Sequence, residues 1–318
     1  MKAFVYERYG PPELLQVADV ERPSAGFGKI LVKVLGISVN PADWHSLRGK
    51  PLFSRATLGL VRPKHKILGV DVAGRVEAVS TGVTRLKPGD EVYANLLEHG
   101  YGGFAEYVAV PEGAAAIKPA NLSFEEAAAV PMAAVTALQG VRHHGEVRAG
   151  QKVLINGASG GVGSFAVQIA KASGAEVTGV CSTRNVELAR SLGADYVVDY
   201  TTTDFSADGP RYDLIFDTIG NRTVPDIRRG LAEGGRAAVT GFTSMGKMMG
   251  VSMRGGKDVA MVKARVTTED LELLAGLIEA DKVRPHIDRH YPFADIPEAL
   301  GYLEQGRARG KVVVGAPG

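Results

Sequence analysis

The sequence predicts an α/β protein: a doubly wound parallel sheet in the middle of the chain, preceded by a small antiparallel barrel. Three observations predict it. Short apolar runs broken by Pro and Gly fill residues 1–115. Helix signals begin near residue 120. From Gln151 onward, apolar strand segments alternate with helical ones, the pattern of parallel strands joined by right-handed crossovers. At 318 residues the chain has room for about two domains.

The runs Ile30-Leu31-Val32-Lys33-Val34, 70–76 and 105–110 read as strands. They are punctuated by Gly26, Gly28, Pro41, Gly49, Pro63, Pro88-Gly89-Asp90, Gly102-Gly103 and Pro111, and such dense turn chemistry fits an irregular barrel. Ser123 is placed to cap a helix, with Glu126 three residues on as the other half of a capping box. That Ala-rich helix runs to Pro131, and a second extends from near Ala133 toward Gly140; His143 and His144 read as an exposed loop. The alternating part then gives strands at 153–156, 176–181, 196–198, 214–217 and 236–241, and helices at 163–173, 186–192 and 224–231. A sixth strand is predicted at 259–266, and the Gly- and Met-rich stretch 244–256 reads as a loop. An amphipathic helix at 269–280 carries Leu271, Leu274 and Ile278 at helical spacing. A last helix at 296–305 leads into Val312-Val313-Val314, a strand suited to complete the first domain.

Composition narrows the function. Hydrophobic residues make up 45% and charged residues 23%, ordinary for a globular chain, so bulk disorder is excluded. The 37 Lys and Arg nearly balance the 35 Asp and Glu, a net charge of +2, which leaves no cationic footprint for nucleic acid. No apolar stretch reaches the roughly 18 residues of a membrane span, and residues 1–8 lack the apolar region of a signal peptide. The single cysteine, Cys181, allows neither an intramolecular disulfide nor a Cys-rich zinc site. The cytoplasm is the expected compartment. Glycine, at 40 residues, is about twice as frequent as usual, and part of that excess is concentrated in one place.

That place is Val153-Leu154-Ile155-Asn156-Gly157-Ala158-Ser159-Gly160-Gly161-Val162-Gly163. An apolar strand ends, a glycine-rich turn follows and a helix opens. Glycines there remove Cβ atoms, so backbone N–H groups can approach a pyrophosphate, and the helix N-terminus adds partial positive charge. Gly157, Ala158, Ser159, Gly160, Gly161, Val162 and Gly163 are therefore assigned to a dinucleotide. A tight turn without nucleotide is the plainer alternative; the surrounding α/β alternation argues against it. The residue closing the next strand selects the dinucleotide, because a carboxylate there binds both ribose hydroxyls and repels a 2′-phosphate. The sequence offers Cys181-Ser182-Thr183-Arg184, without a carboxylate. Ser182 and Thr183 can donate hydrogen bonds and Arg184 can pair with phosphate, which points to NADPH. A solvated arginine at a helix start is the alternative.

Further segments complete a pattern: Asn40-Pro41-Ala42-Asp43-Trp44-His45-Ser46-Leu47-Arg48-Gly49, Leu68-Gly69-Val70-Asp71-Val72-Ala73-Gly74-Arg75-Val76, Lys87-Pro88-Gly89-Asp90-Glu91-Val92, Leu192-Gly193-Ala194-Asp195 and Arg309-Gly310-Lys311-Val312-Val313-Val314. With them the chain resembles, over nearly its whole length, the zinc-independent quinone oxidoreductases of the medium-chain dehydrogenase/reductase superfamily. The resemblance implies a GroES-like β-barrel catalytic domain from residues 1–119 and 265–318. It implies a Rossmann NADPH-binding domain from 120–264, with the active site in the cleft they form. It also implies a homodimer, joined through Rossmann-domain strands, that passes hydride from NADPH to a small-molecule quinone or α,β-unsaturated carbonyl. The rivals are an enoyl-thioester reductase and an NADPH-binding sensor or partner-binding module that has lost turnover.

Residue by residue, the resemblance sets Asn40 and Asp43 near nicotinamide and substrate. The Asn40 amide would donate to the substrate oxygen and stabilise an enolate-like state. Asp43 would orient neighbours such as Arg48, a loop-shaping salt bridge being the alternative. Thr136 would contact the nicotinamide ribose, Tyr200 would flank the 2′-phosphate, and Gly241 and Phe242 would meet ligand beyond the fifth strand. Lys311 would reach the cofactor ribose or phosphates. Packing for Tyr200 and a solvated charge for Lys311 are the plain alternatives. Trp44 is either a pocket wall or a core contact, and Asp217 ends a strand bordering the site. Zinc-dependent relatives place a Cys where Asn40 stands, a His-Glu pair at Val70-Asp71 and a thiolate near Pro131-Met132. A catalytic zinc needs about three protein ligands, so no metal is expected. His286 and His290 have a helical ligand spacing, yet Pro285 and Pro292 bracket them and the stretch reads as extended. No general acid is assigned, which leaves product protonation to water.

Overall fold

Strand Lys29–Val39 is the hub of the first of two compact units. It points Ile30, Val32 and Val34 into the core and exposes Lys33 between them, then buries both faces at Ile37–Val39, as a strand flanked on both sides should. It pairs antiparallel with Asp71–Val79 on one side and with Lys311–Gly315 on the other, and its first half also pairs with Tyr107–Pro111. The sheet continues through Glu91–Asn95 to Ala115–Ile117, and ends beyond Lys311–Gly315 with Ile287–Tyr291. The C-terminal strand therefore does complete a sheet begun by the N-terminal segment. The unit comprises Met1–Met132, Val266–Glu279 and Ile287–Gly318. Helix Thr268–Glu279 is held to this unit by Leu271, Leu274 and Ile278, all buried, and by the Tyr93 hydroxyl, which donates to the Leu271 carbonyl at 2.5 Å.

The second unit, Ala133–Arg265 with Ala280–His286, carries a six-stranded parallel sheet. Its order is Tyr196–Asp199, Glu176–Cys181, Lys152–Asn156, Tyr212–Asp217, Leu231–Val239, Val259–Met261. The chain starts in the middle, winds outward, then returns and winds the other way. This is the doubly wound order, and its switch point lies between Lys152–Asn156 and Tyr212–Asp217. Leu154, Ile215, Val239, Val224 and Ile227 share the core of this unit. The structure is a computed structural model describing residues 1–206 and 211–316. No helix among the described residues is long and apolar enough to cross a membrane.

Five segments differ from the sequence reading. Residues 244–256 contain a helix, Met245–Arg254, where a loop was expected. Ser244 caps it by accepting from the Lys247 N–H, and Val251 buries its inner side, so a cap and an apolar anchor outweigh the helix-weakening glycines. The sixth strand is only Val259–Met261, and the fifth begins at Leu231 rather than 236. Pro131 opens the helix Pro131–Leu138 instead of closing the one before it, the first-turn position where a missing N–H costs nothing. His143 and His144 lie in the wide helical turn Gln139–His144 that follows.

Candidate functional site

In the second unit, strand Lys152–Asn156 runs into the glycine turn and helix Gly161–Ala172. Gly157 takes a left-handed φ of 88°, and the Gly157 and Ala158 N–H groups both bond the Val180 carbonyl at 3.0 Å. A Cβ on Gly163 would run into the Gly157 carbonyl oxygen. The helix start can lie this close to the strand end only with glycine there, which leaves the first-turn N–H groups facing outward for an anion. Gly160 caps the helix, Gly161 and Val162 form its first turn, and Ser159 accepts a bond from Asn185 at 2.9 Å. Asn185, buried beyond the next strand, was not singled out by the sequence; it braces the loop from a turn 26 residues on.

Beyond strand Glu176–Cys181, Ser182 starts the turn Thr183–Asn185. Thr183 and Arg184 are exposed, and Tyr200 is 58% exposed. The Thr183 hydroxyl is already spent, because it donates to Asp199 at 2.5 Å. Sequence reasoning missed Asp199 because it looked only along the second strand. The carboxylate comes from the third, whose register sets Asp199 opposite Cys181. Hydroxyl donation from Thr183 and Thr201 holds the Asp199 carboxyl below its usual range. Burial pushes the Cys181 thiol up to about 11, so it is a packing group.

At the switch point, Asn156 and Asp217 stand side by side in register. Asp217 is fully buried and accepts from Asn156 at 2.7 Å and from the N–H groups of Ile219 and Gly220 at 3.0 and 2.9 Å. Its other oxygen has no hydrogen-bond partner among the described residues, and burial raises its pKa. Gly241 and Phe242, both half-buried, follow the fifth strand, and a Cβ on Gly220 would strike the Gly241 carbonyl. Thr136 is buried in Pro131–Leu138.

In the first unit a second constellation forms at neighbouring strand ends. Register sets Ser38 opposite Asp71, and Asp71 opposite Asn95. Asp71, fully buried, accepts from Asn40 Nδ2 at 2.9 Å, Asn95 Nδ2 at 2.7 Å and the Met132 N–H at 3.1 Å. Asn40 caps helix Pro41–Arg48; its N–H bonds Asp43 at 2.8 Å, and the second Asp43 oxygen takes the Gly69 N–H at 3.1 Å. Lys311, the first residue of the C-terminal strand, donates to Asn40 Oδ1 at 2.7 Å and lies 3.9 Å from Asp71. Burial pushes Asp43 up to about 7, against the two N–H groups that favour its charged form. Burial also drives Asp71 up and Lys311 down, each charge opposing the shift of the other.

Two contacts differ from those expected. The Asn40 carboxamide donates both its hydrogens within the protein, to Ser38 O at 3.1 Å and to Asp71 at 2.9 Å. Arg48 does not meet Asp43; it forms a bidentate pair with Glu304 at 2.8 and 2.7 Å. Trp44, half-buried, packs on the core and stacks on His45 with centroids 3.7 Å apart. His290 lies on strand Ile287–Tyr291, its Nδ1 2.6 Å from Glu125.

Two family models match the chain: the alcohol dehydrogenase GroES-like domain over residues 26–120 and the zinc-binding dehydrogenase over residues 192–314. The NADPH-dependent alkenal/one oxidoreductase of Arabidopsis thaliana is 37% identical over 99% of this chain and 79% of its own length. The 2-methylene-furan-3-one reductase of Solanum lycopersicum is 36% identical over the same shares. Among solved structures, the quinone oxidoreductase from Coxiella burnetii superposes with a TM-score of 0.87 at 29% identity, covering 100% of this chain and 99% of that one. The metal named in the second family description does not fit the residues present. Among the described residues no three His, Cys, Asp or Glu side chains converge. Asn40, Asp71 and Met132 do come together, but as a carboxamide, a carboxylate already holding three donors, and a backbone N–H, with an ammonium beside them. That set presents donors and positive charge, the opposite of what a cation binds.

Proposed function

Because the chain belongs to the quinone oxidoreductase family of the medium-chain dehydrogenase/reductase superfamily, we propose that it is an NADPH-dependent reductase of quinones and α,β-unsaturated carbonyls. The observation that carries the substrate class is the cluster around Asp71, whose carboxamides and ammonium do not suit a Lewis-acid metal. A simple ketone needs a Lewis acid or a general acid at its oxygen to accept hydride, whereas a conjugated acceptor delivers its charge to an oxygen that hydrogen-bond donors alone stabilise. Bound NADPH supplies the hydride. Gly157, Ala158, Ser159, Gly160, Gly161, Val162 and Gly163 would hold its pyrophosphate, with Asn185 fixing Ser159. Ser182, Arg184 and Tyr200 would hold the adenosine end, and Thr136, Gly241 and Phe242 the nicotinamide end. Asp43 positions Asn40 through its N–H.

An acceptor screen tests the reading. The chain is expected to oxidise NADPH with 9,10-phenanthrenequinone, short 2-alkenals, or both. Tight NADPH binding with no turnover on either would make it a binding module instead. The ionised Asp199 beside Thr183 opposes a 2′-phosphate while Arg184 favours it. Arg184→Ala is therefore expected to cut the NADPH/NADH ratio of kcat/KM by about 10-fold, the value of one charge-assisted contact, and Asp199→Ala to raise it. A ratio that Arg184→Ala leaves unchanged would remove Arg184 from the site. The open edge of the parallel sheet at Val259–Met261 supports a homodimer joined there, and sedimentation showing only monomer at micromolar concentration would overturn it.

A further inference from the structure

We propose that Lys311 supplies the hydrogen bond to the carbonyl oxygen of the substrate. This deepens the reductase reading above and rests on it. The starting point is a donor inventory. The two hydrogens of Asn40 Nδ2 go to Ser38 O and Asp71, and the Asn40 backbone N–H goes to Asp43. The Met132 N–H goes to Asp71. Asn95 Nδ2 gives one hydrogen to Asp71 and keeps one, and Lys311 keeps more. An ammonium carries three N–H donors, and among the described residues only one is used, on Asn40 Oδ1 at 2.7 Å. Asp71 lies 3.9 Å away, close enough for charge attraction but beyond hydrogen-bond length.

Two N–H donors are thus left on a side chain that is 4% exposed, and a buried donor without an acceptor is costly. The shortfall is not the habit of buried lysines in this protein. Lys118, 7% exposed, bonds the carbonyls of Pro119 at 3.1 Å and Leu122 at 2.6 Å, and adds Glu91 at 3.5 Å. Lys311 is buried as deeply and left unsaturated. Asn40 fixes its direction, and Asp71, 3.9 Å away, is its counter-charge. An oxygen that gains charge during the reaction is the acceptor such a group lacks.

The step balances. The incoming hydride pair forms a C–H bond at the β-carbon of an enone. The alkene pair becomes a double bond between the α-carbon and the carbonyl carbon, and the carbonyl pair moves onto oxygen. There it accepts from Lys311. A water proton then adds to the α-carbon as the pair returns from oxygen. Lys311 donates a hydrogen bond throughout and loses no proton.

Two measurements test this. The first needs neither turnover nor a variant: titration of 4-nitrophenol in the presence of the wild-type protein, followed by absorbance. If Lys311 receives an oxyanion, the bound phenol ionises at lower pH than the free one, and neutral 4-nitroanisole binds more weakly. An unshifted or raised titration, or no binding, overturns the proposal. The second is Lys311→Met, with Lys311→Arg beside it. Lys311→Met is expected to lower kcat with a 2-alkenal by ~10²–10³-fold, the loss typical of one oxyanion donor, with NADPH affinity unchanged, and Lys311→Arg to recover part of it. Loss of NADPH affinity with kcat intact would assign Lys311 to the cofactor and overturn the proposal. Wild-type protein that turns over no acceptor sinks the reductase reading, while the phenol titration, repeated on Lys311→Met and expected to lose its shift there, still decides whether Lys311 binds an oxyanion.

Discussion

Asp71→Ala is expected to destabilise the first unit by about 3–5 kcal/mol, the range for breaking a buried charge pair from one side. The size follows from what the carboxylate holds. Removing it strips the acceptor from Asn40, Asn95 and the Met132 N–H at once, and leaves the Lys311 ammonium without its nearer counter-charge. Asn40, Asn95 and Lys311 are buried, so water does not replace the partner they lose. Thermal unfolding followed by circular dichroism should show the midpoint falling by roughly 10 °C. A change of under about 1 kcal/mol would mean that the cluster relaxes freely and that the ion pair carries little. Asp71→Asn keeps the shape and one acceptor, so it should fall between the two.

Gly163→Ala is expected to weaken NADPH binding by roughly 10- to 100-fold, because relieving the overlap takes about 1–3 kcal/mol of distortion. The added Cβ meets the Gly157 carbonyl oxygen and lies 3.0 Å from the Ala158 Cα, backbone atoms that cannot rotate away as a side chain would. The helix start must lift off the strand end, and the N–H groups of the turn lose their common direction. Fluorescence titration with NADPH gives the affinity. Gly276→Ala, whose Cβ would meet nothing within 4 Å, is the control. Equal affinity for the wild type and Gly163→Ala would show that the turn does not need the close approach.

The fold class was legible because its signals are local. Alternation in Lys29–Val39, the Ser123–Glu126 capping box and the glycine turn after Lys152–Asn156 each lie within a dozen residues, and periodicity and turn chemistry act at that range. Helix Met245–Arg254 escaped for the same reason. Its glycines argue locally against a helix, and the burial of Val251 that overrides them comes from the rest of the unit. Asp199 escaped because the carboxylate reaches Thr183 from a different strand. Asn185 and Ser159 are likewise joined only by the fold.

By itself the sequence determined the order of strands and helices, the phosphate-suited turn, and the lack of the thiolates a zinc site would need. Residue types and their spacing along the chain decide those matters before anything packs. The tertiary structure decided who meets whom. Asn40, Asp71, Asn95 and Lys311 lie up to 271 positions apart, and only the register of strands Lys29–Val39, Asp71–Val79, Glu91–Asn95 and Lys311–Gly315 brings them together. A one-residue slip in any of those pairings would turn the same side chains to the opposite face. The sequence could therefore name Asn40 and Lys311 as site residues, but only the folded sheet showed that the Asn40 hydrogens are spent and that Lys311 has donors to spare.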